Sequence, residues 1–307
     1  MLDKFWESLG EDLAGKWLGY VFSPAFLFWA GGLSMYVLRD GWLPLWQWLS
    51  GLQIVEQTAL LVIALLVLVG SALLMQRLRF SVLRLLEGYW PWPFKGLAPR
   101  LAARPNRRFE GAEQRWNALK TKEAQGALSP TEARALSELE ARLHYFPTDP
   151  RDVQPTTLGN ILRAAETLPT HKYGLDAFVC WPRLWLLLPE SAREDLSAAR
   201  QGLMTFVELW AWGLLFLVWA IFSPWALLVS VLWLGLASAL NLQAAMAYAD
   251  LFEAAFDLYR WELYRAAHWP LPQVSGDAER SAGQRLTEFL WRGTVEPPVK
   301  YAAVDRE

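Results

Sequence analysis

The sequence predicts an all-α integral membrane protein with four transmembrane helices, a helical cytoplasmic insert and helical stems that extend from the membrane. Residues 209–249 contain no Asp, Glu, Lys or Arg, and an α-helix needs only about 20 apolar residues to cross a bilayer. The chain has 19 Trp, many of them beside apolar blocks, where the headgroup zone satisfies both the ring and its N–H. A single cysteine excludes an internal disulfide.

Hydropathy divides the chain in order. Residues 1–16 are predicted to form an amphipathic helix lying in the interface, because apolar side chains recur at helical spacing opposite acidic ones. The four crossings are predicted at 17–38, 57–75, 203–222 and 225–246, with the first interrupted at Ser23-Pro24, a Trp-rich loop at 39–56, and a tight turn at Ser223-Pro224.

The distribution of Lys and Arg predicts the orientation. The loop 39–56 contains one basic residue, whereas 77–108 contains eight. Residues 77–202 and both termini are therefore expected on the cytoplasmic side of a bacterial inner membrane. Residues 77–204 carry 19 Lys/Arg and 14 Asp/Glu, net +5, and the remainder is net −7. Attraction to anionic lipid headgroups accounts for the basic excess. The predicted regions are 1–16, 17–76, 77–202, 203–246 and 247–307.

The insert and the C-terminal region are predicted to be helical. Ser129-Pro130-Thr131-Glu132 forms a capping box with proline at the first helical position. It starts a helix that pairs with an earlier one as a charged hairpin. The expected helices are 77–86, 109–125, 130–144, 156–166, 189–201, 247–267 and 279–291.

The sequence contains no motif typical of an enzyme. It lacks a phosphate-binding Gly-rich loop followed by Lys, an HExxH motif and a Gly-x-Ser-x-Gly motif. Its three histidines are scattered and make no pair at helical spacing. We therefore expect no catalysis, no metal site and no cofactor.

Three acidic residues are candidates for a pore. Asp250, Glu253 and Asp257 share one face of the stem after the fourth crossing, because their offsets are 3 and 7. In a homo-oligomer they could form an acidic ring at a cation pathway. The alternative is ion pairing with arginines on the stem after the second crossing, namely Arg77, Arg79 and Arg84.

Polar side chains at membrane depth are further pore candidates. Glu208 lies about one turn inside the third crossing, and Asn241 and Gln243 lie late in the fourth. Ionisable groups in the membrane are costly and mark function by default. For Glu208, hydration at the cytoplasmic edge is the equal alternative, and for Asn241 a helix–helix hydrogen bond is favoured.

Segment 156–185 mixes cationic side chains with aromatic ones, a combination that holds phosphates and stacked bases. The predicted ligand-binding residues are Arg163, His171, Lys172 and Arg183. In the alternative interpretation the segment is a scaffold, with Arg163 or Arg183 paired with Glu166 or Asp176. Should the anion bind elsewhere, residues 100–108 are the next candidates.

The same segment carries a resemblance. The run Leu-Gly-Asn-Ile-Leu-Arg-Ala-Ala-Glu at 158–166, then Tyr-Gly-Leu-Asp, Trp-Pro-Arg-Leu and Ala-Phe-Asp-Leu-Tyr-Arg at 255–260, resembles a family of uncharacterised bacterial polytopic membrane proteins. The similarity covers residues 155–272. The overall layout is also similar to transmembrane effectors of anti-phage defence, such as the Hailong type. That similarity implies a homo-oligomeric pore, held shut by a single-stranded DNA oligomer or nucleotide and paired with a nucleotidyltransferase-like enzyme.

Two functions fit these features. The favoured one is an oligomeric membrane pore gated by a cytosolic nucleotide or oligonucleotide. The alternative is a non-conducting membrane anchor whose helical insert recruits a cytosolic partner, with the charged hairpin 109–144 as its docking surface. A transporter is disfavoured, since the sequence lacks the paired broken helices of inverted repeats.

Overall fold

The structure of the protein is a computed structural model that describes residues 23–91, 96 and 98–302, without the side chains of 98–106 and 108. The described part is helical and contains no strand. The interfacial helix predicted at 1–16, the start of the first crossing and most of the arginines in 100–108 lie outside the described residues or side chains.

Ten α-helices follow one another in the described residues, together with 3-10 segments at Pro150–Asp152 and Phe216–Ile221. The α-helices are α1 (Pro24–Asp40), α2 (Leu43–Ser50), α3 (Ile54–Glu87), α4 (Ala98–Ala124), α5 (Pro130–His144), α6 (Thr157–Tyr173), α7 (Ala177–Leu187), α8 (Glu190–Leu215), α9 (Trp225–Ala266) and α10 (Asp277–Arg292).

Three helical segments are long and apolar enough to cross a membrane. They are α3, α8 with its 3-10 continuation, and α9. The mean hydropathy of the most apolar part is 2.7 in α3 and 1.8 in each of the other two. They coincide with the second, third and fourth predicted crossings. The described part of the first crossing is α1, which has 17 residues and is not among these three. A total of four crossings therefore stays a prediction.

The chain divides into two compact units. The first contains the described residues up to Leu83 together with Met204–Asn241. In this unit α1 packs against the 3-10 segment Phe216–Ile221 through aromatic rings. A Cβ added to Gly32 would lie 2.2 Å from the Trp219 ring, so glycine is what permits this close approach. Helix α9 begins directly after Ser223-Pro224, as the sequence predicts.

The second unit contains Arg84–Leu203 and Leu242–Glu307. Helices α6, α7 and α10 pack together in it around fully buried side chains such as Leu175, Leu184 and Leu286. Gly174 ends α6 with φ +70°. A Cβ on Gly283 would lie 1.9 Å from the Tyr173 carbonyl oxygen, so the crossing of α6 and α10 requires glycine.

The charged hairpin is formed by α4 and α5, and its capping box is confirmed: Ser129 and Glu132 exchange hydrogen bonds at the start of α5. Its small core contains Leu119, Leu136 and Leu139.

Several elements differ from the prediction. Helix α4 begins at Ala98, before the start expected at 109, and α7 was not predicted. The loop 39–56 contains the short helix α2. The helix expected at 156–166 continues to Tyr173 through Pro169. Proline lacks an amide hydrogen and ordinarily ends a helix. Here the Pro169 side chain is fully buried, and the helix continues past it.

Candidate functional site

In the second unit the acidic face of α9, formed by Asp250, Glu253 and Asp257, contacts polar side chains from other elements. Lys172, near the end of α6, hydrogen-bonds to Glu253 and lies 3.4 Å from a carboxylate oxygen of Asp257. Partial burial lowers the pKa of Lys172, but the hydrogen bond that it donates to Glu253 and the charge of both carboxylates outweigh this effect and raise the pKa above its usual value. The ammonium therefore stays charged and paired.

Three further side chains complete the contacts of this face. His144 Nε2 lies 3.3 Å from a carboxylate oxygen of Glu253 and 3.7 Å from one of Asp250. The Tyr145 hydroxyl donates to Asp250 at 3.0 Å. Burial, and then that hydrogen bond, raise the pKa of Tyr145 to about 12. The Tyr173 hydroxyl donates to Asp257 at 2.6 Å.

All three acidic pore candidates are thus engaged within the chain. Their partners lie at the ends of α5 and α6 and at Tyr145, directly after α5, whereas the predicted alternative paired them with arginines 77, 79 and 84. Arg84 instead pairs with Glu87 at 3.5 Å and lies over the Tyr89 ring at 4.2 Å. Because Lys172 and His144 are about 80 and 110 residues distant from the acids along the chain, sequence spacing could not find them.

Arg260 is a structural hub that the sequence analysis did not select as a site residue. Its Nε donates to Glu279 on α10 at 2.8 Å, and both side chains of this ion pair are largely buried. Its guanidinium lies 4.1 Å from the Tyr173 ring centre and 4.3 Å from that of Trp261. A basic residue one turn after the acidic face was the available signal.

Two of the predicted ligand-binding cations are paired with other groups of the second unit. Arg163 pairs with Asp152 and, at 3.5 Å, with Glu166, which agrees in part with the scaffold interpretation. Arg183 donates to the carbonyl oxygens of Val179 at 2.6 Å and Leu290 at 3.0 Å, so it joins α7 to the end of α10.

The other two lie side by side at the end of α6. Lys172 contacts the acidic face, and the carbonyl of His171 accepts from Arg280 at 2.9 Å. Three of the four predicted cations, Arg163, Lys172 and Arg183, therefore have partners within the chain, each in a different local network.

Polar groups at membrane depth make contacts within the first unit. Asn241 donates to the Phe206 carbonyl at 3.2 Å, in agreement with the helix–helix hydrogen bond favoured from sequence. Glu208 lies 3.6 Å from Arg79. Gln243, which belongs to the second unit, is exposed.

One surface of the second unit leaves large apolar side chains exposed. Phe178 and Leu186 on α7 are 79% and 77% exposed, and Trp291 on α10 is 63% exposed. The rings of Phe178 and Trp291 lie 6.0 Å apart. They line an open cavity of about 400 Å³ together with charged residues: Asp176, Glu288 and Arg292. Hereafter Phe178 and Trp291 are called the aromatic surface.

Metal chemistry has no visible site in the described part of the chain. No group of three or more His, Cys, Asp or Glu side chains there is arranged to hold a metal ion. Comparisons of the chain with protein-family models, curated proteins and solved structures gave no match.

Proposed function

We propose that the protein is a membrane anchor whose helical unit recruits a cytosolic partner protein through the aromatic surface. The observation that carries this proposal is that Phe178 and Trp291 are 79% and 63% exposed, with their rings 6.0 Å apart beside an open cavity. Large apolar patches on a folded surface mark interaction sites.

The composition of this surface supports a protein partner. Phe and Trp are enriched at the centres of protein interfaces, where charged residues are depleted, and a polar rim surrounds the centre. Asp176, Glu288 and Arg292 supply such a rim. The hairpin α4–α5, the docking surface expected from sequence, instead pairs many of its charges internally, as in Lys122–Glu132 at 2.6 Å and Lys120–Glu140 at 2.9 Å.

Site-specific photo-crosslinking in cells tests this function. A photoreactive residue at 178 or 291 should give a discrete heavier adduct containing a second protein. The same residue at the exposed position 137 of α5 is the matched control and should give none. Phe178→Ser should abolish the adduct formed from position 291. Equal labelling at all three positions, or no adduct at 178 and 291, would contradict recruitment through this surface.

A gated pore is the second candidate, and one observation favours it. The single helix α9 carries both an apolar segment able to cross a membrane and the acidic face at Asp250, Glu253 and Asp257. A ligand that displaced Lys172 from this face would act on the same helix as the crossing. The similarity to anti-phage effectors implies an oligonucleotide for this role and a nucleotidyltransferase-like enzyme as partner.

Conductance of the purified protein in liposomes separates the two candidates. A pore should conduct, respond to short single-stranded DNA, and change its ion selectivity in Asp250→Ala, Glu253→Ala or Asp257→Ala. An anchor should not conduct ions with or without the single-stranded DNA, even when the protein is inserted in the bilayer and oligomeric. Wild-type conductance in all three variants would remove the acidic face from the pore.

A further inference from the structure

Helix α2 is an apolar element without an interior to pack into. Its eight residues, Leu43–Ser50, contain no charged side chain and none that is buried. Trp46 and Trp48 are 58% and 52% exposed, and Trp42 just before the helix is 54% exposed. Large apolar side chains on several sides of a short helix are stable only when something apolar surrounds them.

The length of α2 excludes a membrane crossing. Eight residues rise about 12 Å, far less than the roughly 30 Å of a bilayer's hydrocarbon core. Hydrogen bonds hold the end of α2 beside the start of α3. The Gln57 side-chain amide donates to the carbonyl oxygens of Leu49 at 3.0 Å and Leu52 at 3.1 Å. The end of α2 is thereby tied to the first turn of α3.

The exposed tryptophans point to the kind of surroundings. Trp46 and Trp48 are two positions apart and so project from nearly opposite sides of the helix. A second helix or a second copy of the chain would cover one side only, whereas lipid can surround both. No described residue accepts a hydrogen bond from the three indole N–H groups, and the headgroup region offers carbonyl and phosphate oxygens to such donors.

We propose that α2 lies in the boundary between headgroups and acyl chains and binds the lipid surface through Trp42, Trp46 and Trp48. The next helix favours lipid as the surroundings of α2. Helix α3 starts four residues later with Ile54, which is 80% exposed, and it is apolar enough to cross the bilayer. The element between α1 and α3 is thus a membrane anchor in its own right, independent of the recruitment of a partner.

Depth-dependent fluorescence quenching of the full chain in liposomes tests this placement. Gln47, an exposed residue of α2, is replaced in Gln47→Cys and labelled with an environment-sensitive dye. A lipid with a spin label near the headgroup should quench this dye more than a lipid with a label at the chain end, and aqueous iodide should quench it little. The native chain is the labelling control, because Cys180 is fully buried.

Two labelled positions calibrate the measurement. Leu66→Cys, on the exposed face of the α3 crossing, should be quenched most by the deep label, and Ser137→Cys on α5 mainly by iodide. Iodide quenching of position 47 as strong as that of 137 would overturn the proposal. So would protection from iodide that disappears when the protein is diluted in lipid, since this would identify a second copy as the occupant.

Intrinsic fluorescence provides a test without labelling. Lipids brominated near the headgroup should quench the native chain, and the double variant Trp46→Phe, Trp48→Phe should lose part of that quenching. Lipids brominated at the chain end should quench native and variant chains to a similar extent. An unchanged response to the shallow bromines would contradict an interfacial α2.

Discussion

At the residue scale, the polar side chains of the second unit act mainly on one another. Arg260 illustrates this: it contacts Glu279 on α10 and two aromatic rings, and 14% of its side chain is exposed. Removing one partner of a buried ion pair leaves an uncompensated charge, which costs more than the pair contributes. Glu279 should therefore contribute far more to the stability of the second unit than the neighbouring surface charges.

Glu279→Gln is predicted to lower the free energy of unfolding of the second unit by about 3 kcal/mol, because the Arg260 charge would remain buried without its counter-ion. Glu288→Gln on the same helix is the matched control. Its pair with Arg292 is exposed, so the expected loss is below about 0.5 kcal/mol. Denaturant unfolding in detergent measures both, and similar losses would contradict a special role for Arg260.

Cys180 is predicted to be unreactive in the folded protein. Burial raises the pKa of its thiol to about 11, and only the thiolate reacts readily with alkylating reagents. Mass spectrometry after iodoacetamide treatment at pH 8 should show no modification in the folded protein and complete modification in denaturant. Rapid modification without denaturant would show that the α7 and α10 packing opens.

At the element scale, close helix crossings depend on glycine and helix starts depend on caps. The α6–α10 crossing leaves no space for a Cβ at Gly283, whereas a Cβ at Gly111 of α4 would meet no atom within 4 Å. The two glycines are both in helices, so they separate steric need from helix propensity.

Gly283→Ala should destabilise the second unit by about 2 kcal/mol, the usual cost of overpacking. Gly111→Ala should stabilise α4 by about 0.5–1 kcal/mol, because alanine loses less backbone entropy in a helix. Thermal unfolding followed by circular dichroism compares the variants. A loss in both would mean that the crossing is not the cause.

The hairpin α4–α5 is predicted to weaken in acid. Hydrogen bonds from Lys122 and then Ser129 lower the pKa of Glu132 from 4.5 to about 2. A carboxyl whose pKa is lower in the folded state stabilises that state above its unfolded pKa, and the contribution is lost as the pH falls toward 2. Hydrogen-exchange protection of α5 should decline between about pH 4.5 and 2, and less so in Glu132→Gln. Equal declines would exclude Glu132 as the cause.

At the scale of the whole molecule, the number of crossings decides the topology. Four crossings place Lys4 on the same side of the membrane as Ser137 and opposite Asp40, whereas three place it with Asp40. Lys4→Cys, Asp40→Cys and Ser137→Cys are treated with a membrane-impermeant maleimide on intact cells. We expect labelling at position 40 only. Labelling at position 4 as well would show that the segment before α2 does not cross.

Much of the helical framework could be predicted from local patterns. The apolar runs predicted the segments that α3, α8 and α9 supply, and the Ser129–Glu132 motif predicted the start of α5. Both signals act over a few residues, through hydropathy or capping. The sequence did not predict α2 or α7, which are short apolar helices without a distinctive length. It also placed the start of α4 too late and the end of α6 too early, and in α6 the longer helix contains the buried Pro169.

The candidate site was only half predictable, since helical spacing placed Asp250, Glu253 and Asp257 on one face but could not supply their partners. By itself the sequence determined the apolar segments, the helix starts and the faces of single helices, because these depend on neighbours within a few residues. Only the tertiary structure decided that Lys172 pairs with the acidic face and that His144 and two tyrosines contact it. It also decided which aromatic side chains stay exposed, because pairing between distant segments depends on how the helices pack.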